Sequence, residues 1–233
     1  MNIACLQNHP AEGPAEIGRW AHDRGWPLTV YPGFEETFPE ISEHDALVVM
    51  GGPASVKGAE ENECIAGAME TIRSFLAAGK GVFGVCLGAQ MMAVAAGGRV
   101  VEGPEKEIGW YPITRTDAEE GHCLSDLPQE RVVFHWHGDH IELPPGATLL
   151  ASSLACPVQA FQLAPNQLGL QCHLEIDSAA MERMIAEFAD ELVPGEPGVE
   201  IPETMELGLQ KWGDSCQRSL HAILDAWYHA NCE

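Results

Sequence analysis

GVFGVCLGAQ, residues 81–90, runs from small and apolar residues into a cysteine and on into a helix-forming segment. A short apolar run bounded by glycine suits a strand buried on both faces, and CLGAQMMAVAAG after it suits a helix. Cys86 stands at the junction. Gly84 and Gly88 flank it as G-x-C-x-G, the thiol counterpart of the nucleophile elbow G-x-S-x-G. The glycines answer a steric demand. A sharp strand-to-helix turn drives the central residue into strained backbone space, and only neighbours without side chains let it close. The helix N-terminus then supplies partial positive charge and free N–H groups, which favour a thiolate and later an oxyanion. A buried cysteine in a tight turn would use the same residues, so the elbow needs partners elsewhere.

Towards the N-terminus, apolar runs alternate with amphipathic stretches. NIACLQ reads as a strand, AEIGRWAHDRG as a helix ending at Gly25, and PLTVY as a second strand. DALVVMGG reads as a buried strand entering a glycine turn. ENECIAGAMETIRSFLAAG reads as a helix with Ile65, Met69, Ile72 and Leu76 on one face and Gly79 at its end. This alternation predicts an α/β fold with a mostly parallel central sheet flanked by helices.

From about 99 to 172 the chain turns β-rich, through RVV, GWYPITRT, ERVVFHW, TLLASS, VQAFQL and QLGLQCH, which predicts antiparallel additions. SAAMERMIAEFADEL is a helix. Residues 193–203, VPGEPGVEIPE, form a linker to a C-terminal helical extension with a break expected near Gly213. The domain division is 1–192 and 193–233. Trp212, Leu220, Ile223, Leu224 and Trp227 give the extension an apolar face, open to packing on the core, covering the active site, or pairing two chains.

A nucleophilic cysteine needs a base, and the base an orienting partner. LGLQCHLEID supplies both: His173 follows an apolar strand, and Glu175 lies two residues on, where an extended backbone projects it to the same side.

Taken together, VVMGGPASV, GVCLGAQ and QCHLE in this order resemble the class I, triad-type glutamine amidotransferases over roughly residues 1–190. The resemblance implies a flavodoxin-like core and a Cys86–His173–Glu175 triad that forms a γ-glutamyl thioester. It implies an oxyanion hole from the backbone N–H groups of Gly52 and Leu87, glutamyl contacts from Gln90, and no cofactor. Leu174 and Cys172 stand where the family's QFHPE has proline and phenylalanine, which reads as packing variation. EGP at Glu12 to Pro14 and EIGWYPI at Glu107 to Ile113 resemble the standalone, GMP-synthase-like branch, whose members include enzymes acting on γ-glutamyl peptides and glutathione conjugates.

HWHGDH, residues 135–140, is similar both to the ligand run of the metallo-β-lactamases and to the SHGD loop of GMP synthase amidotransferase domains. Downstream, only His173, His221 and His229 remain as histidine ligands, too few in that arrangement for a binuclear metal site. The segment is therefore expected to be a substrate loop without metal, with Trp136 where serine is common and Gly138 allowing close approach of the backbone.

With 35 acidic against 12 basic residues the chain carries a net charge of -23, which disfavours a nucleic-acid partner. No apolar run reaches the roughly 18 to 20 residues of a bilayer span. The N-terminus lacks the flanks of a secretion signal, so a cytoplasmic protein is expected. The eight cysteines form no C-x-x-C pair and are expected to be thiols. The chain holds no P-loop and no room for a synthase domain. The readings are then a standalone γ-glutamyl hydrolase or transferase, a glutaminase subunit docked on a separate synthase chain, or a non-catalytic binding protein; a homodimer is compatible with each.

Overall fold

Alternate residues of the central strands divide between two cores. On β1 (Ile3–Gln7), Ile3 and Cys5 face one layer of helices while Ala4 and Leu6 face the other. Val48 and Leu47 divide the same way on β3 (Ala46–Val49), as do Phe83 and Val82 on β4 (Gly81–Val85). This is the period of two of a pleated strand buried on both faces. The computed structural model describes residues 1–116, 122–125 and 127–231; Cys232, one of the eight expected thiols, lies outside them. The other seven are free thiols.

The remaining strands are β2 (Leu28–Pro32), β5 (Arg99–Arg115), β6 (Glu130–Glu142), β7 (Thr148–Ser153), β8 (Ala160–Ala164) and β9 (Gln167–Leu170). They form one nine-stranded sheet in the order β2-β1-β3-β4-β9-β8-β7-β5-β6. The first five in that order are parallel and the rest antiparallel, as expected of an α/β core with antiparallel additions. The helices α1 (Ala15–Asp23), α4 (Ser178–Glu187) and α5 (Pro202–Ala230) cover one face, and α2 (Glu63–Ala77) and α3 (Leu87–Ala95) the other.

Several expectations are corrected. RVV and GWYPITRT belong to one long strand, β5, whose register against β6 shifts between Glu102 and Glu107. HWHGDH is not a loop but part of β6. Its histidines are buried, with the Glu107 side chain of β5 against His135 and His137. The buried face of α2 runs through Ile65, Met69, Ile72 and Phe75, with Leu76 only half-buried. No break occurs at Gly213, because α5 is continuous from Pro202 to Ala230. A lone helical glycine costs about 1 kcal/mol, and Met205, Cys216, Leu220 and Leu224 anchor the turns on both sides of it in the core.

Of the three places open to this helix, it takes the body's own core: Trp227 is fully buried, with its Nε1–H on Asn166 O at 2.8 Å. Residues 193–203 are tied down as well. Ile108 N donates to Gly198 O, and Glu200 N to Ile108 O, each at 2.8 Å.

Candidate active site

The carboxyl ends of β1, β3, β4 and β9 lie side by side, and the segments leaving them converge, the usual place for a site in an α/β sheet. β1 leads to Glu12, β3 to Gly51 and Gly52, β4 to Cys86, and β9 to Gln171, His173 and Glu175.

Cys86 is the N-cap of α3 and sits at φ 49°, ψ -110°, strained for a residue with a Cβ. The two flanking glycines are sterically required. A Cβ on Gly88 would lie 2.1 Å from Val49 O, and one on Gly84 would lie 2.8 Å from Ala89 N. The thiol donates to Trp136 O and accepts from Gln171 Nε2, both at 3.6 Å.

His173 is buried, and its backbone N–H on Phe134 O at 2.8 Å joins it to β6. Its Nδ1 lies 2.7 Å from Glu175 Oε1, which fixes the ring, while Nε2 is buried with no hydrogen-bond partner among the described residues. Burial opposes charge on this ring. The Glu175 carboxylate and the interaction with Cys86 outweigh it, and the ring's pKa rises well above the ordinary histidine range. Burial pushes the Cys86 thiol up, and His173 and the Leu87 N–H pull it part of the way back. A proton passed from sulfur to this imidazole would stay on the ring, as an imidazolium stabilised by the carboxylate behind it.

Gly52, Leu87, Gln90, Trp136 and Gly138 line one cavity of about 740 Å³ together with Cys86. Gln90 Nε2 donates to Gln171 Oε1 at 3.2 Å, so Gln171 bridges it to the thiol. Sequence reasoning gave Gln171 no role. The spacing that found Glu175 from His173 would also have found Gln171, two residues before it on the same side.

Glu12 was missed too. It lines the cavity, is 7% exposed, and its Oε2 has no hydrogen-bond partner among the described residues. A Cβ on Gly51 would lie 2.0 Å from that oxygen and 3.4 Å from Cys86 Cβ, so the carboxylate and Cys86 flank the same glycine. Burial pushes its carboxyl up to about 7, against a pull from His173 and with a further push from Glu175 and Glu191.

The histidines of HWHGDH meet a residue that sequence reasoning did not consider. Glu107 of β5 accepts from Ser153 Oγ at 2.8 Å and Gln159 Nε2 at 2.7 Å, and its Oε2 lies 3.4 Å from His137 Nε2. His135 Nε2 lies 3.3 Å from Tyr111 O, and burial pushes that ring's pKa down to about 3. Glu107, His135 and His137 each offer an atom within 4.8 Å of the others, a spacing compatible with a metal ion. The hydrogen bonds from Ser153 and Gln159 fall on one carboxylate oxygen, Oε2, the one that also faces His137.

Among the described residues, no helix is long and apolar enough to cross a membrane. The family profile of the class-I glutamine amidotransferases matches residues 17–192. The chain is 39% identical over 204 residues to the glutamine amidotransferase-like protein YfeJ of Salmonella typhimurium, covering 84% of each. It is 30% identical over 194 residues to the GMP synthase of Aeropyrum pernix, covering 81% of this chain but 36% of that one. The chain thus spans about a third of that GMP synthase's length. A solved glutamine amidotransferase from Methylobacillus flagellatus superposes with a TM-score of 0.89 at 27% identity, over 98% of this chain and 94% of the other.

Proposed function

The chain belongs to the class-I glutamine amidotransferase family, and from that premise we propose that it hydrolyses a γ-glutamyl amide, or transfers its γ-glutamyl group, through Cys86. The observation that carries this reading is the strained Cys86 at the cavity, beside an imidazole already oriented by Glu175 at 2.7 Å.

In this mechanism the Cys86 proton passes to His173 Nε2 and the sulfur attacks the γ-carbonyl carbon. The oxyanion is met by the Gly52 and Leu87 N–H groups, of which Leu87's already favours negative charge on the sulfur. The C–N bond breaks as His173 returns the proton to the leaving amine. Water, deprotonated by the same ring, then cleaves the thioester and restores the thiol. Gln90 contacts the glutamyl moiety, with Trp136 and Gly138 forming the opposite wall. No cofactor takes part. The seven free thiols suit a reducing, cytoplasmic setting.

A second reading, a glutaminase subunit that passes ammonia to a separate synthase chain, is supported by the match to a GMP synthase more than twice this chain's span. A panel of glutamine, glutathione and other γ-glutamyl amides, scored for glutamate release, tests the chemistry. Release from at least one, abolished by Cys86→Ala, is expected, together with covalent labelling of Cys86 by a diazo-ketone glutamine analogue. An alanine variant as active as the parent ends the reading. Full release without any partner favours the standalone hydrolase over the subunit.

A further inference from the structure

The mechanism leaves Glu12 unused. Glu12 lines the cavity, and its buried Oε2 has no hydrogen-bond partner among the described residues, an arrangement costly to keep. It flanks Gly51 together with Cys86, and His173 and Glu175 both act on its charge. A leaving amine receives its proton from His173, so it departs within reach of that carboxylate.

The rest of the cavity has the same electrostatic sign. Lys106 is paired with Glu196 and Lys57 with Asp139. Glu12, Glu102, Glu105 and Glu191 form no ion pair among the described residues. Trp136 and Phe188 stand at 5.8 Å, edge to face, giving the cavity an aromatic wall that can take an alkyl stem and attract a cation. At about 740 Å³ the cavity lies well inside the roughly 300–1,000 Å³ of small-molecule sites and offers far more room than free glutamine fills.

Resting on the γ-glutamyl reading above, we propose that this cavity holds a cation subsite for the leaving group, formed by Glu12 with Glu191 at its rim, and that the substrate is the γ-glutamyl amide of an amine bearing a second, positively charged nitrogen. The chemistry at the sulfur is unchanged. The amide C–N bond breaks, the departing nitrogen takes the His173 proton, and the distal ammonium stays against Glu12 throughout. The subsite adds binding energy from a part of the substrate that does not react.

Three amides with the same acyl group and chain length test this: γ-glutamyl butylamide, its analogue ending in an ammonium, and its analogue ending in a carboxylate. The full-length protein is assayed at pH 8 and low salt, with Cys86→Ala as blank. The ammonium compound is expected to exceed the butylamide in kcat/KM by roughly tenfold to hundredfold, with the carboxylate compound slowest and the preference shrinking in high salt. Glu12→Gln is expected to reduce the ratio of ammonium to neutral compound to about threefold or less. The ratio is taken within one preparation, so partial misfolding does not move it. Glu191→Gln, at the rim, should lower the same ratio by a smaller factor.

A neutral or anionic compound cleaved as well as the cationic one overturns the subsite, and so does a ratio unmoved in Glu12→Gln. Cleavage of glutamine alone, with none of the three amides turned over, overturns it as well while leaving the γ-glutamyl reading intact. No release from any γ-glutamyl compound, with Cys86 unlabelled, removes that underlying reading instead.

Discussion

His173 Nδ1 lies 2.7 Å from Glu175 Oε1, with both side chains buried and the imidazole's Nε2 without a hydrogen-bond partner among the described residues. The carboxylate fixes the tautomer and holds the ring's pKa well above the ordinary histidine range. Glu175→Gln keeps the shape and removes the charge. The expected outcome is a loss of roughly 10³- to 10⁴-fold in kcat, with the His173 pKa, read from imidazole NMR shifts, moving down. An unchanged imidazole titration would show that Glu175 does not act through the ring.

The elbow predicts an asymmetry between neighbouring substitutions. Gly88→Ala forces a Cβ to within 2.1 Å of Val49 O, a backbone atom held in the central sheet. Destabilisation above about 4 kcal/mol is expected, seen as insoluble protein or a large fall in the denaturation midpoint. Cys86→Ala, by contrast, removes only a sulfur atom and should fold normally while losing all labelling. Equal stability of the two variants would mean that the turn is not as tight as its geometry indicates.

Those two sites also mark what the sequence discloses. The elbow was legible because its demands are local: a strand, a helix and two glycines, each two positions from Cys86. Glu175 followed from the pleat of an extended backbone. Glu12 was not legible in this role, because its meaning depends on Gly51 and Cys86, which only the parallel pairing of β1, β3 and β4 brings together. HWHGDH is expected as a loop only from its similarity to the SHGD segment; in the fold it lies on β6, where Glu107 of β5 supplies the polar partner that lets His137 be buried in a strand. The break expected at Gly213 failed for a similar reason, since tertiary packing outweighs one glycine.

Glu12 should leave a signature in stability as well as specificity. Its carboxyl is pushed up from 4.5 to about 7, chiefly by burial. A group with a higher pKa in the fold than in the unfolded chain binds an extra proton in the fold between those values, so stability falls as pH rises through that window. Glu12→Gln stays neutral and escapes this loss. The variant is expected to melt above the parent at pH 8, by at most about 3 kcal/mol, and to gain nothing at pH 4.5. The same ionisation should make the parent's preference for a cationic leaving group grow as pH rises through about 7, with His173, Glu175 and Glu191 the charged groups acting on it. A variant advantage that persists at pH 4.5 would separate the effect from ionisation.

The last test concerns α5, whose face could have served a second chain. Trp227 is fully buried against Phe83 and Trp20, with ring centroids at 5.8 and 6.4 Å. Phe83 lies on β4, three residues before Cys86, so the helix braces the strand that presents this residue. Trp227→Ala removes the largest contact on that face and leaves Asn166 O without its 2.8 Å donor. A cost of about 3–5 kcal/mol is expected, lowering Tm by roughly 10 °C for a chain of this size. Deleting residues 204–233 exposes Met205, Cys216, Leu220, Ile223, Leu224 and Trp227 partners together, and should give aggregate rather than a clean monomer on size exclusion. A soluble, folded, monomeric truncation would instead mean that the helix is dispensable to the core and that its apolar face has another use.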